Sequence, residues 1–375
     1  MWYRVRRFAE SLNWLLLACL LLLMAAGWGL VLSAAMPPNQ EGPWPIPAFA
    51  ARQAVWAMLG LIALMAGAMV DYHVLLRLGP WLYAIGLILL TLVLGVGHTS
   101  FGARRWFALR GIFMQPGEFT KLGMLLVLVR LAAGQARDPD PLRRRLFPRW
   151  LPASLLVVAI PVALILGQPN LGTALLLVLL ALAVWLVAGL PWSLIAGSIA
   201  AASGVAPAVW SFLKDYQRAR ILNFLNPYRD PLGGGYTVIQ AVTAIGSGGL
   251  TGRGFLEGPQ NRLQFIPKHH TDFIVSVLGE EFGWVGCLSI VFVYLLLYLE
   301  GLRIAHRARD YPGMLLAVGI VSLLASQTLI NLGMNVGVVP VTGLPLPLLS
   351  YGGSSMLMAC LLLGILLNVG RQRRR

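Results

Sequence analysis

Charge is what this chain has least of. Asp, Glu, Lys and Arg together make up 11% of its 375 residues, against roughly a quarter in ordinary soluble chains. That deficit excludes both a solvated globular surface and a disordered chain, since each needs charge to stay in water. Acidic residues are the scarcer sign, 14 against 29 Lys and Arg, leaving a net charge of +15. Cysteine numbers 3, too few for a secreted disulfide scaffold. Cys19, Cys287 and Cys360 all lie within apolar runs and read as small buried hydrophobes. No glycine-lysine-serine/threonine phosphate loop is present, so the glycines at 233–235 and 246–254 read as turns and not as a nucleotide site.

Apolar residues are what the chain has in excess, 58% of the total, with a mean hydropathy of +0.76. They gather in runs at 13–36, 52–70, 78–97, 112–133, 151–167, 171–189, 192–213, 283–302, 312–334 and 353–370. Runs of about 20 residues cross a roughly 30 Å hydrocarbon core as helices. The expectation is an all-α polytopic membrane protein of about ten transmembrane helices, a single domain over 1–375. The first run is too long for a signal h-region and is read as a retained anchor.

Alternating sides puts Arg4, Arg6, Arg7, Arg77, the arginines of 137–149, Arg303, Arg307, Arg309 and the C-terminal arginines on one face. The positive-inside rule makes that face, and both termini, cytoplasmic. Much of the +15 is therefore a matter of orientation, and no nucleic-acid partner is implied. The other basic residues cluster around 104–110 and 214–268, on the outer side, where orientation gives them no reason to be. The stretch 214–282, between the seventh and eighth runs, is too apolar for disorder and too long for an idle connection. A large structured extracytoplasmic loop carrying chemistry is expected there.

Four constellations carry chemistry. His269, His270 and Asp272, followed by Glu280 and Glu281, crowd the mouth of the eighth run. Asp272 either caps a short helix through the amide of Ile274 or Val275, or serves as a general base. Adjacent histidines lack metal-ligand spacing, and no metal is assigned. Arg104, Arg105 and Arg110 sit in a short outer loop, either as tolerated surface charge or as a clamp for phosphate. Glu118 and Lys121, three apart on one helical face, form an ion pair at membrane depth, which either fixes packing or lines a functional cavity. The prolines from Pro340 to Pro347 forbid continuous helix before Ser350–Ser355. Irregular backbone at that depth must be buried by protein or line a cavity.

These residues together resemble one family, the SEDS proteins (shape, elongation, division and sporulation), the RodA/FtsW group of bacterial peptidoglycan polymerases. The resemblance rests on Gly102-Ala103-Arg104-Arg105-Trp106, Gln115-Pro116-Gly117-Glu118-Phe119-Thr120-Lys121, Asn226-Pro227 with Asp230-Pro231, Gly233-Gly234-Gly235-Tyr236 and Ala244-Ile245-Gly246-Ser247-Gly248-Gly249. Further along it includes His270-Thr271-Asp272-Phe273-Ile274, Gly279-Glu280-Glu281 and Tyr351-Gly352-Gly353-Ser354-Ser355. Pro340–Pro347 and Asn331-Leu332-Gly333-Met334 look like the elongation (RodA) version more than the division (FtsW) one. Asn170 stands where the family usually has Asp, so no carboxylate role is expected there.

The resemblance implies an inner-membrane glycosyltransferase that polymerises lipid II, with Asp272 in the place of the family's essential aspartate. Arg104, Arg105, Arg110, Arg218, Arg220 and Lys268 would hold the pyrophosphates, Glu118 and Lys121 would shape the cavity, and His270 and Ser354 complete the substrate-binding set. No cofactor is required, though Mg or Mn is compatible with a pyrophosphate leaving group. A class B penicillin-binding protein transpeptidase and other elongation-complex membrane proteins are the implied partners. A lipid II flippase needs the same amphiphilic cavity and cations but no base. A non-catalytic scaffold needs neither.

Overall fold

The computed structural model describes residues 13–36, 46–100, 103–109, 112–135, 150–194, 196–197, 215–267 and 269–372. Their first half runs α1 Trp14–Ala35, α2 Ala48–Met69, α3 Tyr72–Val96, β1 His98–Ser100, β2 Ala103–Leu109, β3 Ile112–Met114, α4 Pro116–Gln135, α5 Leu151–Gly167 and α6 Leu171–Val187. The second half runs α7 Asp215–Leu225, α8 Tyr236–Ser247, α9 Pro259–Arg262, α10 Ile274–His306, α11 Tyr311–Asn335 and α12 Gly353–Arg371. Six of these, α1, α2, α3, α10, α11 and α12, are long and apolar enough to cross a membrane. α5 and α6 are shorter apolar helices of 17 residues. The run at 192–213 falls largely outside the described residues.

The chain is not all-α. The segment 98–114, expected as an outer loop and the opening turn of a helix, folds into an antiparallel sheet in the order β1-β2-β3. Phe107 pairs with Met114 and Leu109 with Ile112. Pro116 explains why the helix does not start at 112. Proline suits the first helical position, where its missing N–H is not needed, and it biases the residue before it towards extended backbone.

α10 starts at Ile274, earlier than the run at 283–302 suggests, and bends at Gly283, whose backbone (φ 63°, ψ −160°) is open only to glycine. Amides that the bend removes from the helical ladder are recovered by the preceding loop. Trp284 N–H donates to the Gly249 carbonyl at 3.0 Å and Val285 N–H to that of Leu250 at 3.1 Å. A Cβ on Gly283 would lie 2.4 Å from the Gly252 nitrogen, and one on Gly252 would lie 2.1 Å from the Glu281 carbonyl oxygen. Loop and bend are therefore built against each other.

Within the bundle α12 packs on α2, α4 on α3, and α10 on α1 and α11. Small residues set the α2–α12 separation. A Cβ on Gly364 would stand 2.2 Å from the Leu64 carbonyl oxygen, and one on Gly67 2.8 Å from that of Leu361. Apolar lipid gives helices no hydrophobic reason to associate, so close backbone packing of this kind carries the interface. Gly364→Val is expected to force the two helices apart at a cost of about 1–3 kcal/mol, read as a lowered unfolding temperature in detergent. An unchanged melting curve would count against this packing.

The stretch 215–273 is a structured layer. Ala241 and Ala244 of α8 bury themselves against Ile266 and Phe273, with Val341 packed alongside, in a small core separate from that of the bundle.

Candidate functional site

The acidic and imidazole groups at the mouth of α10 have different partners. Glu280 accepts hydrogen bonds from the amides of Gln260 at 2.7 Å and Asn261 at 3.0 Å, fixing α9. Glu281 accepts from the Ser33 hydroxyl and, at 3.1 Å, from the Asn261 side chain, tying the layer to α1. His269 lies between two carbonyls, its Nδ1 2.8 Å from Ile266 O and its Nε2 2.6 Å from Ala34 O. His270 stacks near Phe49, with ring centroids 4.7 Å apart, and its carbonyl accepts from Tyr351 N–H at 3.0 Å. Each of these groups knits the layer to the bundle.

Asp272 is placed differently. Phe273, not Asp272, occupies the N-cap of α10. The Asp272 backbone carbonyl accepts from the side-chain amides of Asn331 at 3.0 Å and Asn335 at 3.1 Å. These asparagines, one turn apart on α11, are fully buried. Asn331 also donates to the Leu344 carbonyl at 2.7 Å, so one amide fixes both Asp272 and the proline-rich strap. Asn331→Leu leaves the buried Leu344 carbonyl without that donor, an expected loss of about 1–3 kcal/mol measurable by thermal unfolding.

The strap brings the charges together. Gly343 has a φ of 69°, and a Cβ there would lie 3.7 Å from Asp272 Oδ2 and 3.9 Å from a terminal nitrogen of Arg105. A carboxylate and a guanidinium thus converge on one glycine. Alternation along β2 sends Arg105 inward, while Arg104 is exposed. Arg218 lies on α7, partly buried. The side chain of Arg220 is not described, and Arg110 and Lys268 lie outside the described residues.

Behind the strap, Lys121 Nζ is 2.8 Å from Glu118 Oε1, both residues being 3% exposed or less. The ammonium also donates to Gln327 Oε1 at 3.2 Å, and Gln327 Nε2 donates to the Pro345 carbonyl at 2.8 Å. A single line of polar contacts therefore joins the buried ion pair to the strap that carries Gly343. Ser354 is buried in the first turn of α12. Asn170 caps α6, its side chain accepting from Thr173 N–H at 3.3 Å.

Sequence reasoning missed Asn331, Asn335, Gln327 and Gly343 as site builders. The signal was available for the amides: polar side chains at one-turn spacing in an apolar helix need partners, and those partners are what they position. Gly343 carried no such signal. Among the described residues no group of three or more His, Cys, Asp or Glu is disposed to hold a metal ion.

A bundle of apolar helices whose strap and surface layer converge a carboxylate and a guanidinium beside a buried ion pair defines a polytopic membrane protein with a polar site at one end. A family model described as "Cell cycle protein", grouping FtsW, RodA and SpoVE, matches residues 13–375, and the chain belongs to this family. The peptidoglycan glycosyltransferase MrdB of Escherichia coli K12 is 38% identical over 317 residues, 84% of each chain. A solved structure described as "Structural coordination of polymerization and crosslinking by a peptidoglycan synthase complex" superposes with a TM-score of 0.81 at 36% identity, covering 96% of this chain and 98% of that one. The rod shape determining protein RodA of Thermus thermophilus superposes at 0.70 with 33% identity, covering 97% and 98%.

Proposed function

We propose that this chain is a peptidoglycan glycosyltransferase that polymerises lipid II into glycan strands during cell elongation. The observation that carries the reading is the convergence of Asp272 and Arg105 on Gly343. Relatives named as peptidoglycan glycosyltransferases and solved structures of the same fold support it. The membrane arrangement that goes with it is ten spans with both termini cytoplasmic, which sets the Asp272 site on the outer face of the bacterial inner membrane.

In this mechanism Asp272 takes the proton from the GlcNAc 4-hydroxyl of one lipid II. The freed oxygen forms a bond to the anomeric carbon of MurNAc on the other, with inversion. The bond from that carbon to the undecaprenyl pyrophosphate breaks, and the electron pair leaves with the phosphate. An ordinary glycosidase needs a second carboxylic acid to protonate its leaving oxygen, whereas a pyrophosphate leaves as an anion and needs positive charge. Arg105 supplies that charge nearest the base, and Arg104, Arg110, Arg218, Arg220 and Lys268 are the further cations assigned to the leaving group. Glu118 and Lys121 set the field and shape of the cavity beneath.

A class B penicillin-binding protein that crosslinks the new strand is the expected partner, along with other elongation-complex membrane proteins. The test is direct: purified protein in detergent, given lipid II alone, should yield glycan polymer on a denaturing gel. No polymer from folded protein, with or without that transpeptidase, would overturn the assignment. Transport has no meaning in detergent, so a flippase would give none.

A further inference from the structure

The strap contains a turn whose backbone its own sequence disfavours. Residues 347–349 make the turn, closed by Leu349 N–H donating to the Leu346 carbonyl at 3.3 Å. Ser350 braces the same loop, its N–H donating to the Leu346 carbonyl at 3.0 Å and its hydroxyl oxygen accepting from Leu346 N–H at 2.9 Å. Proline fixes φ at about −65°, and Leu348, after Pro347, has a φ of 67°. Proline at the second position and positive φ at the third define a type II turn, whose third position calls for glycine or asparagine. A leucine stands there instead, and it is 2% exposed.

Leucine has an unstrained alternative. A type I turn also accepts proline at its second position, needs no positive φ, and differs from type II by roughly half a turn of the central peptide. That peptide joins Pro347 to Leu348, so the direction of the Pro347 carbonyl decides between the two forms. The Pro347 carbonyl accepts from the Tyr294 hydroxyl of α10. Tyr294 is fully buried. Its ring stacks on that of Tyr298, centroids 5.9 Å apart, and the Tyr298 hydroxyl donates to the Leu324 carbonyl of α11 at 3.1 Å. A donor fixed by helix packing therefore points the peptide in the direction that the leucine opposes, and a strained residue of this kind persists only where its surroundings impose it.

The turn lies between the two parts of the strap that meet the Asp272 site. On one side Asn331 and Gln327 hold the Leu344 and Pro345 carbonyls, next to Gly343. On the other, Gln53 of α2 donates to the Ser350 carbonyl at 3.2 Å, and Tyr351 N–H donates to the carbonyl of His270, two residues before Asp272. The turn also rests on α1, where a Cβ on Gly27 would stand 2.8 Å from the Leu348 carbonyl oxygen and 2.6 Å from that of Leu349. Packing this close transmits a peptide flip along the strap and does not absorb it.

We propose that Tyr294 is a positioning residue for glycosyl transfer: its hydroxyl locks the 346–349 turn in the type II form, and through the strap that turn sets Gly343 against Asp272 and Arg105. This rests on the polymerase reading above for the reaction it serves. Because the hydroxyl acts through backbone and not on substrate, it governs kcat and leaves KM in place.

The experiment is a mutant cycle on the full chain in detergent, read both by lipid II turnover and by thermal unfolding. Tyr294→Phe, which removes only the hydroxyl, should lower kcat about ten- to hundredfold at unchanged KM, the loss that a small misplacement remote from the reacting atoms brings. Leu348→Gly takes away the backbone penalty, so adding Tyr294→Phe to it should change kcat by less than about twofold. Leu348→Ala gives up similar packing but keeps the penalty, and in that background the hydroxyl should matter as it does in the native chain. Unfolding midpoints should follow the same pattern, falling on Tyr294→Phe in the native and Leu348→Ala backgrounds and holding nearly still in Leu348→Gly. Native kcat in folded Tyr294→Phe, or equal hydroxyl effects in the glycine and alanine backgrounds, would overturn the proposal. Absence of polymer from the native chain would instead overturn the polymerase reading, while the unfolding cycle, which needs no substrate, decides separately whether the lock exists.

Discussion

Asp272→Asn is expected to lower polymerisation of lipid II by about 10²–10⁴-fold, the usual loss when a positioned general base is removed, with the fold unchanged. The structure explains why the two effects separate. The contacts that anchor residue 272 to α11 go to its backbone carbonyl, from Asn331 and Asn335, and asparagine keeps that carbonyl. The carboxylate itself is directed towards Gly343 and Arg105. The variant should therefore melt with the native protein and fail only in turnover, assayed as glycan product from lipid II in detergent. Native turnover in a folded Asn variant would remove Asp272 from the mechanism. Arg105→Gln should give a smaller loss, deepening as salt screens the remaining cations.

Lys121→Met is expected to cost about 3–5 kcal/mol of stability, the penalty of leaving a buried carboxylate without its partner. Glu118 and Lys121 meet at 2.8 Å in a place where neither can be rescued by water. Replacing both with methionine should recover much of the loss, because the desolvation cost disappears along with the attraction. Function should not recover in the same way. Lys121 also holds Gln327, and Gln327 donates to the strap at Pro345, so the double variant keeps its fold while Gln327, one of the residues that position the strap beside Asp272, loses its Lys121 partner. Thermal unfolding and turnover of the two variants test this together. A single Lys121→Met variant as stable as the native protein would mean that the pair is not a determinant of the fold.

The helical runs were legible because the bilayer enforces a simple pattern, and α1, α5 and α12 begin and end within a residue or so of their apolar runs. The sheet at 98–114 was not, since short strands in a charged loop have no apolar period to betray them. What decides them is Pro116, a local backbone rule acting against the hydropathy signal. Asp272, Arg105, Glu118 and Lys121 stood out by charge in an apolar context. The division of labour among the neighbouring groups was hidden, because Glu280, Glu281 and His269 are chemically as capable as Asp272. Only their partners, Gln260, Asn261, Ser33 and two carbonyls, show that they are spent on architecture.

The loop and the bend in α10 have a consequence for how this sequence can drift. Added carbon at Gly283 strikes the Gly252 backbone, and added carbon at Gly252 strikes the backbone of Glu281. Both positions also use positive φ. Clashes with side chains can be relieved by a second substitution nearby, but a clash with main chain offers no such escape. Each glycine is therefore frozen independently of what happens at the other, and no pair of compensating changes connects this joint to a version without them.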